Sequence, residues 1–565
     1  MRKGTEIILE AIKRQGIKEV FGYPGGCVIP LFDEFLNQRD IQLIRVCHEQ
    51  AAAHAADGFA RASGKCSVVI VTSGPGATNT ITGIATAAMD SIPMVVITGQ
   101  VRTPIIGTDA FQETNVIGVT RPVTKHNYLV KSVDELPEVL AEAFFIATTG
   151  RPGPVVVDIP VDIQTHLSDA QFPDQVTIPG YDLPQTIESY RIEAAWEMIS
   201  HASRPVIYAG GGLNLAHAGA ELVAFAEKAR IPITTTLLGQ GAVPRAHELA
   251  LGMLGMHGEY SANLAMNRAD LVLALGTRFD DRVTGKVETF LDKAKIIHVD
   301  VDPSVINKIK EVDLGIVGDV KDALTQLTAL AAPVESEAWL KELKTAQAEH
   351  PLPNYDADET SDGKLRPEYV IKQFSELTGG DAVVVSDVGQ HQMFTALHFA
   401  FKHPRTHLTS GGLGTMGFCL PAAIGAAFTR PEWPVISLSG DGGFQMNIQE
   451  LATVKAYNLP ILVVVLNNHN LGMVKQWQDL FWDERHSGTI FDQSPDFLKI
   501  AEGYGLKGRQ VGEKSQVGPA ILEGLAALKA GNPFFLEFML DKDAMVYPMI
   551  PAGKEFKDLI EGGMP

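Results

Sequence analysis

The chain has 565 residues, 45% of them hydrophobic, and its 47 lysines and arginines against 67 aspartates and glutamates give a formal net charge of −20. This length predicts several domains, each able to bury its own core. The acidic balance, without a basic cluster, argues against nucleic acid or an anionic membrane as a partner, although acidity also simply serves solubility.

Cysteine usage and the lack of long apolar runs indicate the compartment. The four cysteines have neither CxxC pairing nor metal-ligand spacing and are expected to be reduced packing residues: Cys27, Cys47, Cys66 and Cys419. No apolar run reaches the roughly 18 residues that a membrane span needs. The first residues predict an amphipathic helix rather than a signal or transit peptide, so we expect a cytoplasmic protein without a membrane partner.

Strands alternate with helices in three α/β blocks, predicted at about 1–165, 188–333 and 365–550 and followed by a tail at 551–565. This alternation predicts a doubly wound parallel sheet in each block. Apolar runs predict strands at 19–21, 41–46, 67–72, 94–98, 155–159, 206–212, 271–276, 296–302, 382–389, 435–440 and 461–466. The stretches 166–186 and 332–364 are polar, contain proline and lack strong periodicity, which predicts linkers.

In the first block, Glu49 stands where a predicted strand gives way to a helix, in LIRVCHEQAAAHAADGFARASG. A carboxylate at a helix N-terminus is often only a favourable partner of the helix dipole. However, the loops FGYPGG at 21–26 and TSGPGATN at 72–79 have the backbone freedom to surround a heterocycle. Ligands bind at the carboxyl edge of open α/β sheets, so Glu49 is a candidate ligand-facing residue.

The third block contains the most informative stretch, residues 434–470. It predicts a buried strand, a GDGG turn, a helix over 445–457 and a second buried strand that ends at two asparagines. Asp441 and Asn468 are therefore expected at the carboxyl ends of neighbouring parallel strands. A carboxylate and an amide oxygen suit Mg²⁺, which takes further ligands from water and phosphates. Alone, a GDG turn more often only begins a helix.

The GDGG turn and the following pair of asparagines together resemble the metal-diphosphate motif of thiamine diphosphate (ThDP) enzymes. The resemblance implies that Asp441 and Asn468 bind Mg²⁺ through their side chains and Asn470 through its backbone carbonyl. It also implies that Glu49 is catalytic. Its carboxyl group would hydrogen-bond the aminopyrimidine ring of ThDP and stabilise the imino tautomer that removes the C2 proton.

The same resemblance assigns further residues to ThDP. Met416, in SGGLGTMGFCLPAAIGAA, is implied to hold the two rings in a bent arrangement, although a lone methionine is normally core filling. The other implied contacts are Tyr23, Gly26, Val388, Gly389, Gln390, His391, Gly414, Gly442 and Gly443. Because the pyrimidine half lies in the first block and the diphosphate half in the third, the family places each site between two chains. A homodimer or a dimer of dimers is therefore expected.

Motifs along almost the whole chain are similar to those of acetohydroxyacid (acetolactate) synthase catalytic subunits, among them GTDAFQE, GRPGPVVVDIP, GMLGMHG, TRFDDR, GDGGFQMNIQEL and GMVKQWQ. The resemblance implies a transferase that decarboxylates pyruvate and joins it to pyruvate or 2-ketobutyrate. The products would be 2-acetolactate or 2-aceto-2-hydroxybutyrate, precursors of valine, leucine and isoleucine. The family also leaves room for a small regulatory subunit.

Small ketoacids have an apolar tail and a carboxylate, so their channel is expected to combine aromatic walls with one fixed cation. The resemblance assigns this channel to Phe111, Gln112, Arg282, Met473 and Trp477, with Gln112 also among the catalytic residues. From the residues alone, Trp477 would fit a core aromatic and Arg282 a salt-bridge partner of Asp280 or Asp281 at least as well.

The second block resembles the FAD-binding domain of this family, in which the flavin is structural. Its YAGGG stretch lacks the spacing of the full dinucleotide fingerprint and is by itself a weak signal. The implied FAD contacts are Arg151, Gly211, Gly212, His257, Gly276, Arg278, Asp300 and Asp319. The TRFDDR motif at 277–282 also separates the chain from flavin-free catabolic acetolactate synthases.

Two departures and three alternatives qualify the resemblance. Val161 stands where lysine is usual in the family and Arg102 where proline or a small residue is common, and both are expected near the channel mouth, where they bear on ligand affinity and inhibitor sensitivity. Pyruvate oxidase would share the metal motif but would consume oxygen and phosphate. Glyoxylate carboligase lacks a glutamate equivalent to Glu49. A non-catalytic homologue would not be expected to retain Glu49, Asp441, Asn468 and Met416 together.

Overall fold

The computed structural model describes residues 1–183, 186–353 and 364–562. Three six-stranded sheets form its framework, one in each predicted block, and neighbouring strands within each of them run parallel. The predicted fold class, three doubly wound α/β domains, is confirmed. In the described residues no helix is both long and apolar enough to cross a membrane.

The first domain has the strand order β3-β2-β4-β5-β7-β6, with β1 and β8 forming a separate antiparallel pair. Its strands are β1 Arg2–Lys3, β2 Glu19–Tyr23, β3 Gln42–Arg45, β4 Ser67–Val71, β5 Met94–Gln100, β6 His126–Leu129, β7 Pro154–Pro160 and β8 Leu167–Ser168. Its helices are α1 Gly4–Arg14, α2 Ile29–Glu34, α3 Glu49–Ser63, α4 Pro75–Asn79, α5 Ile81–Met89, α6 Val116–Thr120, α7 Leu136–Thr148 and α8 Val161–Thr165.

The central domain has the strand order β11-β10-β9-β12-β13-β14. Its strands are β9 Pro205–Ala209, β10 Ile233–Thr235, β11 Ala250–Met253, β12 Leu271–Leu275, β13 Lys295–Asp300 and β14 Leu314–Val317. Its helices are α9 Ser189–Ser200, α10 Gly211–Leu215, α11 Gly219–Ala229, α12 Tyr260–Arg268, α13 Asp281–Thr284, α14 Val320–Leu330 and α15 Glu337–Glu349.

The third domain has the strand order β16-β15-β17-β18-β20-β19. Its strands are β15 Val383–Ser386, β16 His407–Leu408, β17 Val435–Gly440, β18 Ile461–Asn467, β19 Lys507–Val511 and β20 Phe534–Met539. Its helices are α16 Pro367–Thr378, α17 Gln390–His398, α18 Cys419–Ala426, α19 Asp441–Met446, α20 Leu451–Ala456, α21 Gly472–Phe481, α22 Phe497–Gly503 and α23 Lys514–Lys529.

Strand order decides where each sheet can bind a ligand. Numbered within its own sheet, the order is 2-1-3-4-6-5 in both the first and the third domain, so these two domains share one topology. The central domain has the order 3-2-1-4-5-6, which is that of dinucleotide-binding sheets. In such sheets the ligand lies at the carboxyl ends of the strands, where the order reverses. That point falls between β9 and β12 in the central domain and between β15 and β17 in the third.

Two predicted segments differ in the structure. The helix predicted over 445–457 is two helices: α19 begins earlier, at Asp441, and a 3₁₀ turn over Ile448–Glu450 and then α20 follow a break at Asn447. There the backbone leaves the helical region, with φ −135° and ψ 30°, because the Asn447 side chain donates a hydrogen bond to the carbonyl of Gly417. The predicted linker 332–364 contains α15, whose buried Trp339 donates to the carbonyl of Pro205. Trp339 and Leu343 give α15 an apolar face that its polar composition conceals.

Several strands have no counterpart in the predicted set. The edge strands β6 and β14 are partly exposed and lack the continuous apolar run of a central strand. Strand β20 lies inside its sheet, but Glu537 interrupts its apolar sequence, FFLEFM. The predicted linkers and tail extend over residues 184–185, 354–363 and 563–565, which lie outside the described part of the chain. The domain bounds therefore stay predictions.

The first and third domains pack directly on each other through helices α3 and α18. A side-chain carbon at Gly58 would come within 2.0 Å of the carbonyl oxygen of Ala422, and one at Gly425 within 1.8 Å of that of Ala55. These small residues let the two helix backbones approach closely, and one continuous apolar core surrounds the contact. The tail returns to the central domain, where the amide of Lys286 donates to the carbonyl of Lys554.

Candidate active site

A small cavity of about 70 Å³ lies at the carboxyl ends of β15, β17 and β18. The predicted ThDP and metal residues that line it are Val388, Gly389, Gln390, His391, Met416, Asp441, Gly442, Gly443, Asn468 and Asn470. Asp441 follows β17 directly and Asn468 follows β18, and these strands are paired neighbours. The sequence therefore placed both residues at the correct sheet edge.

Asp441 is the charged centre of this cavity. Its side chain is 1% exposed, and burial raises its pKa to about 7. Oδ1 accepts the amide of Gly442, whereas Oδ2 is buried without a hydrogen-bond partner among the described residues. A buried carboxylate oxygen without a donor is costly unless a cation or proton meets it. This oxygen therefore fits a hard cation.

The walls of the small cavity are held by Asp387 and His391. Burial raises the pKa of Asp387 to about 7, and its carboxylate accepts the amides of Val388 and Gly417. Burial lowers the pKa of His391 to about 4, so its neutral ring accepts the amide of Gly440 through Nε2. Gly443 is required here, because a side-chain carbon would lie 2.3 Å from Asp387 Oδ2.

A larger cavity of about 750 Å³ opens between the central and third domains and adjoins the small one. The two share Val388, Gly389, Met416, Met473 and Val474 in their walls. Every residue predicted to contact FAD lines the larger cavity: Arg151, Gly211, Gly212, His257, Gly276, Arg278, Asp300 and Asp319. Gly414, predicted for ThDP, also lines it.

The larger cavity reaches the point where the central sheet reverses its strand order. Loops after β9 and β12 meet there, and the amide of Gly212 donates to the carbonyl of Gly276. Gly276 has φ +57°, and a side-chain carbon on it would lie 2.7 Å from the Cα of Gly212. Two loops this close leave backbone groups facing the cavity, as a dinucleotide requires.

Charged groups surround the cavity on its first- and central-domain sides. Arg151 Nη1 lies 3.3 Å from Asp302 Oδ2, and Arg151 Nε donates to Ser91 Oγ. Burial raises the pKa of Asp300 to about 6 and lowers that of His257 to about 4. Thr277 Oγ1 is buried without a partner among the described residues. The volume, the paired charges and this hydroxyl fit a large polar cofactor.

The predicted substrate residues Met473, Trp477 and Arg282 also line the larger cavity. The guanidinium carbon of Arg282 lies 5.6 Å from the centre of the Trp477 ring, a cation–π distance. Trp477 is half-buried rather than a core residue. Arg282 Nη1 also lies 3.6 Å from Asp281 Oδ2, so a salt bridge is present, but about half of the Arg282 side chain remains exposed. Arg282 can therefore still bind a carboxylate.

The first domain assembles a separate group of predicted residues. Glu49 is the first residue of α3, and its Oε2 accepts a hydrogen bond of 3.0 Å from Asn79 Nδ2. The loop containing Tyr23 and Gly26 is tied to the neighbouring loop by the Cys27 amide, which donates to Thr72 Oγ1. Of the predicted site residues, all of which the structure describes, five line neither cavity: Tyr23, Gly26, Glu49, Phe111 and Gln112. Phe111 is 88% exposed.

The structure adds residues that the sequence analysis missed. Asp387 joins the loops that carry Val388 and Met416, and Asp90 accepts the amides of Gly411 and Gly412 at the edge of the larger cavity. Asp387 stands in the SDVGQHQM stretch between a buried strand and a helix, which is a usable signal. Asp90 follows a helix in an unremarkable sequence, and only the tertiary contact reveals it.

Three family models match this chain, one in the region of each six-stranded sheet. Residues 2–119 match the N-terminal TPP binding domain of thiamine pyrophosphate enzymes, 192–327 the central domain, and 387–538 the C-terminal TPP binding domain. Thiamine pyrophosphate and ThDP are the same compound.

Curated relatives are similar along nearly the whole chain. The acetolactate synthase large subunit of Buchnera aphidicola subsp. Schizaphis graminum is 45% identical, over 97% of this chain and 96% of the relative. The acetolactate synthase isozyme 3 large subunit of Escherichia coli K12 is also 45% identical, with the same coverage. The probable acetolactate synthase large subunit of Methanocaldococcus jannaschii is 44% identical over 99% and 95%. The chain therefore belongs to the acetolactate synthase large-subunit family of thiamine pyrophosphate enzymes.

Proposed function

We propose that this chain is the catalytic subunit of an acetolactate synthase. It would decarboxylate pyruvate and join the two-carbon unit to pyruvate or 2-ketobutyrate. The observation that carries the proposal is the shared wall of the two cavities, formed by Val388, Gly389, Met416, Met473 and Val474. Through it, the metal-diphosphate residues adjoin the side chains suited to a ketoacid. The cytoplasmic location stays an expectation from the sequence.

Asp441, Asn468 and the Asn470 carbonyl would hold Mg²⁺. The unpartnered Asp441 Oδ2 supports this assignment, since a cation supplies the compensation that the buried oxygen lacks. The N-terminus of α17, beginning at Gln390, adjoins the same cavity and suits a diphosphate. When bound, ThDP supplies the electron sink for loss of CO₂ from pyruvate.

The remaining roles belong to the chain's own side chains. Glu49 would hold and exchange a proton with the pyrimidine ring, as a positioned acid–base group. Arg282 would bind the carboxylate of the second ketoacid, and Trp477 and Met473 would contact its apolar tail. Met416, in the shared wall, would hold the two rings of ThDP in position. The larger cavity would hold FAD as a structural group, with Arg151 and Arg278 as cations suited to its diphosphate.

We infer that each site is completed by a second copy of the chain. Tyr23, Gly26, Glu49, Phe111 and Gln112 line neither cavity of their own chain, which supports a homodimer or a dimer of dimers. The relatives are named large subunits, and on that basis we propose a small regulatory subunit as a further partner.

The direct test is an assay of purified protein with pyruvate, ThDP, Mg²⁺ and FAD in an aerated buffer that contains phosphate. We expect acetolactate, a yellow protein and no net reduction of the flavin. Oxygen-dependent formation of acetyl phosphate in place of acetolactate would contradict the proposal and favour pyruvate oxidase. Full activity of a colourless protein, independent of added FAD, would contradict the flavin assignment.

A complementation experiment tests the shared site. Glu49→Gln and Asp441→Ala chains, each inactive alone, are co-expressed with different tags. If the site lies between chains, every mixed dimer regains one intact site, and random pairing restores about a quarter of wild-type activity. If both residues served the same chain's site, mixing would restore none. The activity of the mixed dimer, isolated through its two tags, gives the most direct measurement.

A further inference from the structure

Strand β20 buries a carboxylate that belongs to neither cavity. Glu537 is 2% exposed and lies in FFLEFM, between Val465 of β18 and Gln510 of β19 in the sheet register. It is the sole charged residue of this buried strand. Burying a carboxylate is costly unless its oxygens receive hydrogen bonds. Each oxygen of Glu537 therefore requires a hydrogen-bond donor at this buried position.

Both oxygens of Glu537 accept hydrogen bonds from amide side chains. Asn467 Nδ2 donates to Oε1 at 2.8 Å, and Gln510 Nε2 donates to Oε2 at 2.9 Å. In the part of the chain that the structure describes, Glu537 forms no ion pair with a lysine, arginine or histidine. The carboxylate is therefore stabilised by the two amides, and in return it fixes how they are oriented.

The orientation of Asn467 follows from what a carboxylate can do. An ionised carboxylate only accepts hydrogen bonds, so the NH₂ group of Asn467 must face it and the amide oxygen must face away. That oxygen accepts the backbone amide of His469 at 3.1 Å. The Asn467 carbonyl also accepts the amide of Leu540, which ties the end of β18 to the end of β20. Asn467 is itself 1% exposed.

His469 is the turning point of the chain at this edge. Its φ is +57°, in the left-handed region that is unfavourable for a non-glycine residue. The hydrogen bond that the His469 amide donates to Asn467 Oδ1 helps to offset that cost. On either side, Asn468 and Asn470 line the small cavity, and the Asn470 side chain donates to the carbonyl of Asn468 at 2.8 Å. The amide of Asn467 is thus one of the groups that hold the turn 468–470, beside the Phe491 amide that donates to the His469 carbonyl and the Asn470 side chain that donates to the Lys542 carbonyl.

We propose that Glu537 and Asn467 are positioning residues for the Mg²⁺-binding turn 468–470. Gln510 donates to Glu537 and orients its carboxylate. Glu537 in turn orients the Asn467 amide, whose oxygen accepts the amide of His469. Neither Glu537 nor Asn467 lines either of the two cavities. The inference rests on the proposed assignment of Asn468 and Asn470 as Mg²⁺ ligands. Under this proposal, the ability of residue 537 to accept hydrogen bonds, rather than its negative charge, sets the affinity for Mg²⁺.

The experiment measures Mg²⁺-dependent binding of ThDP to the full-length protein by titration calorimetry, without substrate. Residues that orient metal ligands typically change metal affinity by about 10- to 100-fold when removed. We expect Glu537→Ala to raise the half-saturating Mg²⁺ concentration by about that factor. Glu537→Gln retains an acceptor for Asn467, and Gln510 can rotate its amide to suit, so its half-saturation should stay within about threefold of wild type.

A second measurement needs no ligand. Loss of one hydrogen bond of about 1 kcal/mol should speed hydrogen exchange at the His469 amide about fivefold in Glu537→Ala, with the helix α16 amides unchanged. Asp441→Ala is the positive control for lost Mg²⁺ dependence. Glu368→Gln, which removes another buried carboxylate of the same domain, should leave the half-saturating Mg²⁺ concentration unchanged. If Glu537→Ala fails to fold, the isosteric Asn467→Asp is expected to show the same loss of affinity.

Three outcomes would overturn the inference. One is a folded Glu537→Ala with Mg²⁺ half-saturation and His469 exchange like wild type. Another is a Glu537→Gln as defective as Glu537→Ala, which would make the charge the determinant. The third is wild-type binding of ThDP that needs no Mg²⁺, which would also remove the metal assignment. By contrast, Mg²⁺-dependent ThDP binding without acetolactate formation would contradict the proposed reaction and leave this inference supported.

Discussion

Arg61 Nη2 lies 2.8 Å from Asp90 Oδ2 in a buried ion pair whose two members both reach the third domain. Arg61 Nη1 donates to the carbonyl of Thr409, and Asp90 accepts the amides of Gly411 and Gly412. Asp57 provides Arg61 with a second carboxylate. Burial opposes the charge of Arg61, but the two carboxylates outweigh it and raise the Arg61 pKa above its usual value. The pair thus anchors the loop that leads to Met416.

Asp90→Asn tests this anchor. Asparagine retains one oxygen for the three donors that Asp90 accepts, and it leaves Arg61 with a single carboxylate. Breaking one side of a buried ion pair costs about 3–5 kcal/mol. We therefore expect a clear decrease in the urea concentration at half-unfolding, and faster hydrogen exchange at the amides of Gly411 and Gly412.

The matched control is an exposed pair, Arg230 and Glu248, whose side chains are 48% and 64% exposed. Arg230→Gln should change the free energy of unfolding by less than about 1 kcal/mol. Equal effects of Asp90→Asn and Arg230→Gln would show that the buried Arg61–Asp90 pair contributes no more to the free energy of unfolding than an exposed pair does.

Continuous apolar runs in the sequence were sufficient to predict most of the fold. Central strands such as Val435–Gly440 are buried on both faces and read as unbroken apolar runs, so their order with the helices was predictable. Edge strands, and β20 with Glu537 inside it, lack that signal. The break at Asn447 depends on a partner 30 positions earlier, Gly417, which no local pattern reveals.

From the strand pattern alone, the positions of candidate site residues were predictable where each residue follows its own strand end. Asp441 and Asn468 follow buried strands, and their meeting point follows from parallel pairing alone. Asp90 and Glu537 act through side chains and amides from other segments, so nothing adjacent in the sequence marks them. The separation of Glu49 from both cavities is likewise a property of the folded chain.

Glu49→Gln distinguishes a catalytic carboxyl group from a helix-dipole partner. Glutamine is nearly isosteric and can still accept from Asn79, so ThDP affinity should stay within about threefold of wild type. Loss of a positioned acid–base group should slow acetolactate formation by about 10²–10⁴-fold. Calorimetry and single-turnover kinetics measure the two quantities separately.

Glu138 is a suitable control, because it also lies in the first turn of a helix, α7, in the same domain. Glu138→Gln should leave both quantities unchanged. If Glu49→Gln behaved in the same way, the dipole explanation would suffice and Glu49 would lose its assigned role.

Glu368→Gln tests a dependence of stability on pH. Glu368 is 5% exposed, its Oε2 has no partner among the described residues, and burial raises its pKa to about 7 from 4.5. A raised folded-state pKa contributes stability that is present below about pH 4.5 and is lost as the pH rises through about 7. This shift corresponds to about 3 kcal/mol. The variant should therefore gain stability relative to wild type between those pH values.

Urea unfolding at pH 4.5 and pH 8 gives the comparison. The difference between Glu368→Gln and wild type should grow with pH, whereas the exposed Glu513→Gln should show no such growth. A constant difference at both pH values would mean that Glu368 is ionised in the folded protein at little cost.

The last prediction concerns the choice of the second ketoacid by Trp477. Its ring is half-buried at the larger cavity, beside Arg282, and its Nε1 has no partner among the described residues. If the indole contacts the extra methylene of 2-ketobutyrate, discrimination against pyruvate is worth about 1–3 kcal/mol, or about 10- to 200-fold. Trp477→Leu should lower the ratio of acetohydroxybutyrate to acetolactate while acetolactate formation from pyruvate alone is largely retained.

A competition assay with both ketoacids, run beside a melting curve, provides the measurement. Trp482→Leu is the matched control, because Trp482 directly follows the last residue of the same helix, is 67% exposed and lines neither cavity. A purely structural Trp477 would instead lower the melting temperature and decrease both products together, since a lost aromatic leaves a void in its packing. An unchanged product ratio in Trp477→Leu would place the selection of 2-ketobutyrate on other residues, because apolar contact is the one discriminating interaction that this indole offers to the ketoacid's tail.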